Sequence, residues 1–193
     1  MRINKLALTN FRSYNSLELD LEPGVTTFVG DNGSGKTNIA ESLIYLAFLS
    51  SHRVANNVPL ISLGNQQAII RAEVQRDDRT LQIDLEINAT KANRARINSN
   101  PTRSQRELLG AIQIVYFSPE DLDLVRGEPG NRRDFLDRLL ITRTPRLAGV
   151  IADYERVVKQ RNALLKTRTS AAALVPWNEQ LIKLGAELTA ERI

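Results

Sequence analysis

Residues 30 to 37 read Gly-Asp-Asn-Gly-Ser-Gly-Lys-Thr, a complete G-x-x-x-x-G-K-[ST] pattern, and each residue type in it has a use at a phosphate group. Gly30, Gly33 and Gly35 let the backbone curl until successive N–H groups converge, and the helix that follows adds its own free N–H groups and positive dipole end. Asp31, Asn32 and Ser34 complete the loop, and Asn38 follows it. Lys36 is placed to supply a charge to the β- and γ-phosphates. The Thr37 hydroxyl is placed to take one Mg²⁺ coordination position, the metal being held mainly by phosphates and water. The pattern predicts binding of a nucleoside triphosphate, with ATP and Mg²⁺ as the expected pair. The competing reading is a glycine-rich turn that caps a helix.

A phosphate loop works only between a strand and a helix, and the flanking residues suit both. Val25 to Val29 is β-branched and aromatic, as a buried parallel strand should be, and Lys36 to Leu49 reads as an apolar helix. Before the loop, Arg2–Thr9 and Leu17–Leu21 alternate apolar with polar residues and predict a hairpin. After it, Ala68–Val74 and Leu81–Ile87 predict two more strands joined through Arg76-Asp77-Asp78-Arg79. Their alternation puts Asp84 and Glu86 on a solvent face rather than at a metal. Arg94–Asn98 predicts an edge segment, and Ile112–Phe117 a buried strand ended by Ser118-Pro119-Glu120-Asp121. From Gly127 the character turns helical. Asn131 with Asp134 predicts one helix start, Pro145 a helix to about Lys166, and Pro176 a further one, the last two forming a helical hairpin. Tyr154 and Trp177 read as packing residues.

Composition excludes several classes. The 193 residues contain no cysteine, so disulfides and cysteine-held metals are out, and no apolar run approaches membrane-spanning length. With no charged-then-apolar leader either, a cytoplasmic location is expected. The net charge of +4 is uneven. Residues 1–89 carry 8 basic and 10 acidic side chains, whereas 126–168 carry 11 and 5. Arginine makes up 20 of the 26 cations, which suits contact with phosphates, although a solvated helical face would look the same.

Five stretches in order carry a narrower signal. Leu8-Thr9-Asn10-Phe11-Arg12-Ser13-Tyr14, then the phosphate loop through Asn38 with Glu41-Ser42, resemble the opening of the RecF family, relatives of the SMC-type chromosome ATPases. Val115 to Leu122, Leu124 to Pro129 and Arg132-Arg133-Asp134-Phe135-Leu136-Asp137 are similar to a block associated with the same family. The resemblance implies an α/β P-loop NTPase, an ABC-type ATPase head with mixed sheets over 1–125, followed by an incomplete helical arm, lobe II, over 126–193. It implies a protein that binds ATP, forms an ATP-dependent homodimer on DNA and works at single-stranded gaps and duplex junctions. Recombinase loading and replication restart alongside recombination mediator proteins follow from the same likeness.

The same resemblance sets Asn10 and Arg12 beside the nucleotide, with Arg12 reaching phosphate. It leaves Gln113 and Glu120 competing for a metal-contacting loop, and Arg132 and Arg133 either on DNA phosphates or paired with acids such as Asp137. The sequence departs from the pattern in two places. It has no Leu-Ser-x-Gly-Gln-like signature and no apolar strand ending in paired acids. Both are expected in a C-terminal portion that the chain lacks, so turnover by this chain is not expected. The alternatives are a stand-alone small P-loop kinase or nucleotide hydrolase, and a helical interaction module with a vestigial nucleotide site.

Overall fold

Strict alternation in the first hundred residues produces one antiparallel sheet. In the computed structural model, which describes residues 1–54, 56–167 and 170–192 and leaves out the side chains of Glu120 and Asp123, the strands are β1 (Arg2–Phe11), β2 (Tyr14–Asp20), β3 (Gln67–Arg76), β4 (Arg79–Asn88), β5 (Arg94–Ile97) and β6 (Asn100–Pro101). They lie in the order β2-β1-β3-β4-β5-β6 with every neighbouring pair antiparallel. The chain divides into two compact units, Met1–Tyr116 and Phe117–Ile193.

Period-two patterning sorts the sheet into a dry and a wet face. Leu6, Leu8, Ala68, Ile70, Ala72, Val74, Ile83, Leu85 and Ile87 are buried, and between them Arg71, Glu73, Asp84 and Glu86 face outward. Asp84 lies 3.7 Å from Arg71, on the solvent face as its alternation predicts. Against the dry face packs α1 (Lys36–Phe48) through Ile39, Tyr45 and Leu46, with Leu60 and Leu108 closing the core. Each fully buried Leu or Ile there stabilises the unit by roughly 1.5–3 kcal/mol. This packing fixes the axis of α1 and therefore the direction in which its N-terminus points.

Turn chemistry sets the hairpin registers. Arg76 pairs with Arg79, leaving Asp77 at φ 52° in the two-residue loop, a conformation that Asp tolerates better than most residues. Ile97 pairs with Asn100, so Asn98 (φ 50°) and Ser99 (φ 66°) both take left-handed backbone, as a type I′ turn demands. Serine suits that position poorly. Ser99→Gly should raise stability by roughly 0.5–1 kcal/mol, seen as a higher melting temperature, whereas Ser99→Val should lower it.

The second unit contains the single-turn α2 (Asp123–Arg126), α3 (Pro129–Arg143), α4 (Leu147–Lys166) and α5 (Ala171–Arg192). Arg146, at the start of α4, reaches Glu187 and Glu191 near the end of α5, while Arg161 donates to Asn178 at 2.7 Å. The two helices are therefore antiparallel and form the expected hairpin. Tyr154 lies against Gly185, where a Cβ would stand 3.4 Å from its ring, so it packs helix on helix. Among the described residues no helix is long and apolar enough to cross a membrane.

Four sequence-based expectations are corrected. Val25–Val29 is not a strand: no strand among the described residues runs beside it, and without a ladder Val25 and Val29 stand in solvent. Ile112–Phe117 fails for the same reason, with Ile112 buried but Val115 and Phe117 exposed. Helix α3 begins at Pro129 rather than Asn131, because proline at the first helical position needs no N–H partner. Helix α5 begins at Ala171 rather than Pro176. The alanines before Pro176 are strong helix formers, and at the sixth position that proline removes only one early hydrogen bond.

Candidate nucleotide-binding site

The phosphate loop enters α1 through Gly35, which takes φ 99° at the N-cap and offers no side-chain cap. No side-chain oxygen therefore claims the first-turn N–H groups, although that of Asn38 turns back to the Gly35 carbonyl at 2.8 Å, and the first turn holds no acidic side chain to oppose an anion. Gly33 adds a second left-handed turn at φ 85°, and Ser34 closes it by donating its N–H to the Asp31 carbonyl at 3.2 Å. Lys36 folds back over the loop, with Nζ 2.7 Å from the Gly30 carbonyl, 2.7 Å from that of Asp31 and 3.4 Å from Ser34 Oγ. The ammonium thus sits where the loop carbonyls would otherwise repel phosphate. Asp31, Asn32 and Thr37 are exposed, Thr37 in the first turn of α1. Among the described residues no group of three or more His, Asp or Glu could hold a metal. This donor set fits a triphosphate, and a Mg²⁺ ion brought with it would find the exposed Thr37 hydroxyl in the first turn of α1.

The β1–β2 turn is latched to this loop. Asn10 and Arg12 take φ 51° and 54°. The segment after α1 holds that turn from one side: Arg12 N–H donates to Leu60, Ser62 N–H to Asn10, and Ser62 Oγ to the Arg12 carbonyl. On the other side Asn38 Nδ2 donates to Ser13 Oγ at 3.0 Å and Tyr14 Oη reaches the Ser34 carbonyl at 3.5 Å. A Cβ on Gly35 would meet Ser13 Oγ and Tyr14 Oη, each at 2.8 Å. Glycine suits that position for space as well as for backbone angle.

Beneath the loop lies a buried carboxylate. Glu41, fully buried on α1, accepts from Arg12 Nε at 2.9 Å, Arg12 Nη2 at 2.5 Å and Ser51 Oγ at 2.6 Å, with Arg53 Nη1 at 3.4 Å. Burial pushes its pKa up, but hydrogen bonds from Arg12 and Ser51 and the charges of Arg12 and Arg53 outweigh that and hold it below the ordinary value. Arg12 also donates Nη1 to the Pro59 carbonyl, so all three guanidinium nitrogens are engaged. Arg53 is more open. It shares Nη1 between Glu41 and Asn38 Oδ1. Sequence reasoning singled out Arg12 but missed Ser51 and Arg53. The available signal was a charged residue, Glu41, set among Ile39, Ile44 and Tyr45 on an apolar helix face.

The remaining candidates lie elsewhere. Gln113 is exposed in the first unit. The Glu120 side chain lies outside the described residues, and the turn there is closed by Asp121, which accepts from Ser118 N–H at 2.6 Å. Arg132, in the second unit, donates Nη1 to the carbonyls of Leu124 and Gly127 at 3.2 Å each, tying α2 to the start of α3. Arg133 is exposed. Asp137 pairs with Arg192 rather than with either arginine.

The AAA ATPase domain family matches residues 1–165. The DNA replication and repair protein RecF of Kineococcus radiotolerans is 50% identical over 201 residues, which cover 100% of this chain and 51% of that protein. The chain thus spans about half the length of the curated relatives it matches. A structure of the recombination mediator protein RecF-ATPrS in the RecFOR pathway superposes with a TM-score of 0.92 at 25% identity, covering 99% of this chain and 53% of the other. An SMC ATPase, from work on ATP-driven dimerization and DNA-stimulated activation, gives a TM-score of 0.55 at 21% identity over 71% of this chain and 98% of its own, a likeness of fold. The fold is that of a RecF/SMC ABC-type P-loop ATPase head.

Proposed function

The chain belongs to the AAA ATPase domain family, in its RecF branch, and from that premise we propose that it is the nucleotide-binding portion of a DNA replication and repair protein, with Mg-ATP as its ligand. The observation that carries the reading is the uncapped start of α1, free of carboxylates in its first turn, with Lys36 held over the loop carbonyls. In this reading the loop from Gly30 to Gly35 wraps the phosphates, Lys36 exchanges two carbonyl partners for phosphate oxygens, and Thr37 meets the metal. Asn38 and Arg12 act from beside the loop, Asn38 through Ser13 and Arg12 through Glu41. Bound Mg-ATP supplies the negative charge that the loop gathers.

The wider reading takes in the role that the relatives' names describe. Residues 1–125 are the ATP-binding head and 126–193 part of a helical arm. The protein binds DNA at single-stranded gaps and duplex junctions, dimerises with ATP and works with recombination mediator proteins. Arg132 and Arg133 are proposed DNA contacts, Arg133 the freer of the two.

Calorimetric titration with Mg-ATP tests the core of this reading. The chain should bind saturably, and Lys36→Ala should lose about 1.5–3 kcal/mol of binding, or roughly 10- to 150-fold in Kd, with an unchanged melting curve. A folded parent chain that takes up no Mg-ATP, or equal affinity in the two proteins, would rule it out.

A further inference from the structure

From Lys91 to Arg106 the chain carries five cations, Lys91, Arg94, Arg96, Arg103 and Arg106, and no carboxylate. No other part of the first unit is so one-sided, since residues 1–89 are net acidic. The fold gathers this run at one margin of the sheet, where β5, the Asn98-Ser99 turn and the edge strand β6 lead into the single turn Gln105–Leu108. Ala95 is buried, which forces Arg94 and Arg96 on either side of it onto the solvent face. Arg71, Arg94, Arg96, Arg103, Thr102 and Gln105 line a trough there.

Two acids temper the charge without removing it. Glu86 stands across from Arg94 and Asp84 across from Arg96, while Asp84 lies nearest Arg71. No ion pair within 4.0 Å forms at Arg94, Arg96 or Arg103 among the described residues. The local balance stays positive.

The kind of partner follows from what the surface lacks. None of the large exposed apolar side chains falls between residues 64 and 114, so there is no buried anchor of the sort that protein interfaces are built around. The run from Lys91 to Arg106 contains no aromatic residue on which an unpaired base would stack. Arginine forks with neutral donors such as Thr102 and Gln105 between them match phosphate oxygens. Arg94 and Arg96 stand roughly 6.6 Å apart along β5, the scale on which phosphates follow one another along a nucleic-acid strand. We propose that this margin, Arg94, Arg96 and Arg103 above all, grips the phosphate backbone of duplex DNA without reading its sequence. The inference rests on the DNA reading above and adds to it a surface in the head rather than in the helical unit.

The test is fluorescence anisotropy of a labelled 20-base-pair duplex with the 193-residue chain, with a triple variant Arg94→Ser, Arg96→Ser, Arg103→Ser, and with the matching triple lysine variant, from 50 to 200 mM salt. The serine variant should bind at least about tenfold more weakly at 50 mM salt, and its plot of log affinity against log salt should be shallower by about 2–3. The lysine variant should keep most of that slope, and both should melt and bind Mg-ATP like the parent. If the parent binds duplex and the serine variant matches it in affinity and slope, this surface is refuted while the DNA reading stands. If the parent binds no duplex at 50 mM salt, the DNA reading fails for this chain and the inference falls with it. Competition by polyglutamate as effective as unlabelled duplex would assign the surface to an acidic protein instead.

Discussion

Glu41→Ala is expected to destabilise the first unit by about 3–5 kcal/mol, one of the largest effects any single side chain there should have. The carboxylate is fully buried, and removing it strands Arg12, whose own side chain is mostly covered. Arg12 then keeps only the Pro59 carbonyl, and Ser51 Oγ loses its acceptor. The cost comes from the uncompensated charge more than from the lost attraction. Replacing both partners, as in Glu41→Leu with Arg12→Met, should therefore recover part of the loss. The two units offer an internal control. Trp177, the only tryptophan, lies in α5, whereas Tyr14, Tyr45 and Tyr116 lie in the first unit. On urea unfolding, amide exchange in β1 and α1 should shift with Glu41→Ala while the Trp177 fluorescence transition stays. Unaltered exchange in β1 and α1 would show that the ion pair holds nothing there.

The same residue sets a pH dependence. Its folded pKa lies below the 4.5 of an ordinary glutamate, so its contribution is fully present above pH 4.5 and drains away as pH falls through the lower folded value. Comparison with Glu41→Gln isolates the term. The parent should be the more stable at neutral pH, and the gap should narrow steadily below pH 4.5. A gap that stays constant down to pH 3 would mean that shape and hydrogen bonding, not charge, hold the site.

Much of the architecture was legible because it is local. The alternations in β1, β3 and β4 each span enough residues to state which face is buried, and the Lys36–Leu49 pattern could only be a helix. What misled was apolar run length without a partner. Val25–Val29 has the residues of a buried parallel strand, but strand is a pairwise state, and no composition states whether a ladder stands alongside. Helix starts misled for a related reason: Asn131 and Pro176 are both good first-turn residues, yet Pro129 and Ala171 were upstream and equally able to begin. At the site, the phosphate loop was readable because its spacing is contiguous. The clamp of Arg12, Ser51 and Arg53 on Glu41 was not, since three of its four members come from segments whose approach depends on the core between them.

Gly35→Ala is expected to disable the loop through shape, and Gly33→Ala separates the two reasons. At Gly33 the backbone is left-handed with nothing within 4 Å of a would-be Cβ, so alanine there meets only backbone strain, roughly 1–2 kcal/mol. At Gly35 the same strain is joined by a collision with Ser13 Oγ and Tyr14 Oη at 2.8 Å and Tyr14 Cζ at 2.9 Å. Ser13 can rotate away only by giving up Asn38, and Tyr14 is a residue of β2 paired with Phe11, itself fully buried. Relief therefore disturbs the contacts between the turn and the first turn of α1, and the latter carries Lys36 and Thr37, the groups proposed to meet ATP. Gly35→Ala should destabilise the unit by about 2–4 kcal/mol and weaken Mg-ATP binding more than 100-fold (about 2.7 kcal/mol or more), whereas Gly33→Ala should weaken it far less. Comparable losses in the two variants, measured by calorimetry on folded protein, would show that backbone angle alone governs the cradle and that the latch between the β1–β2 turn and the phosphate loop is incidental.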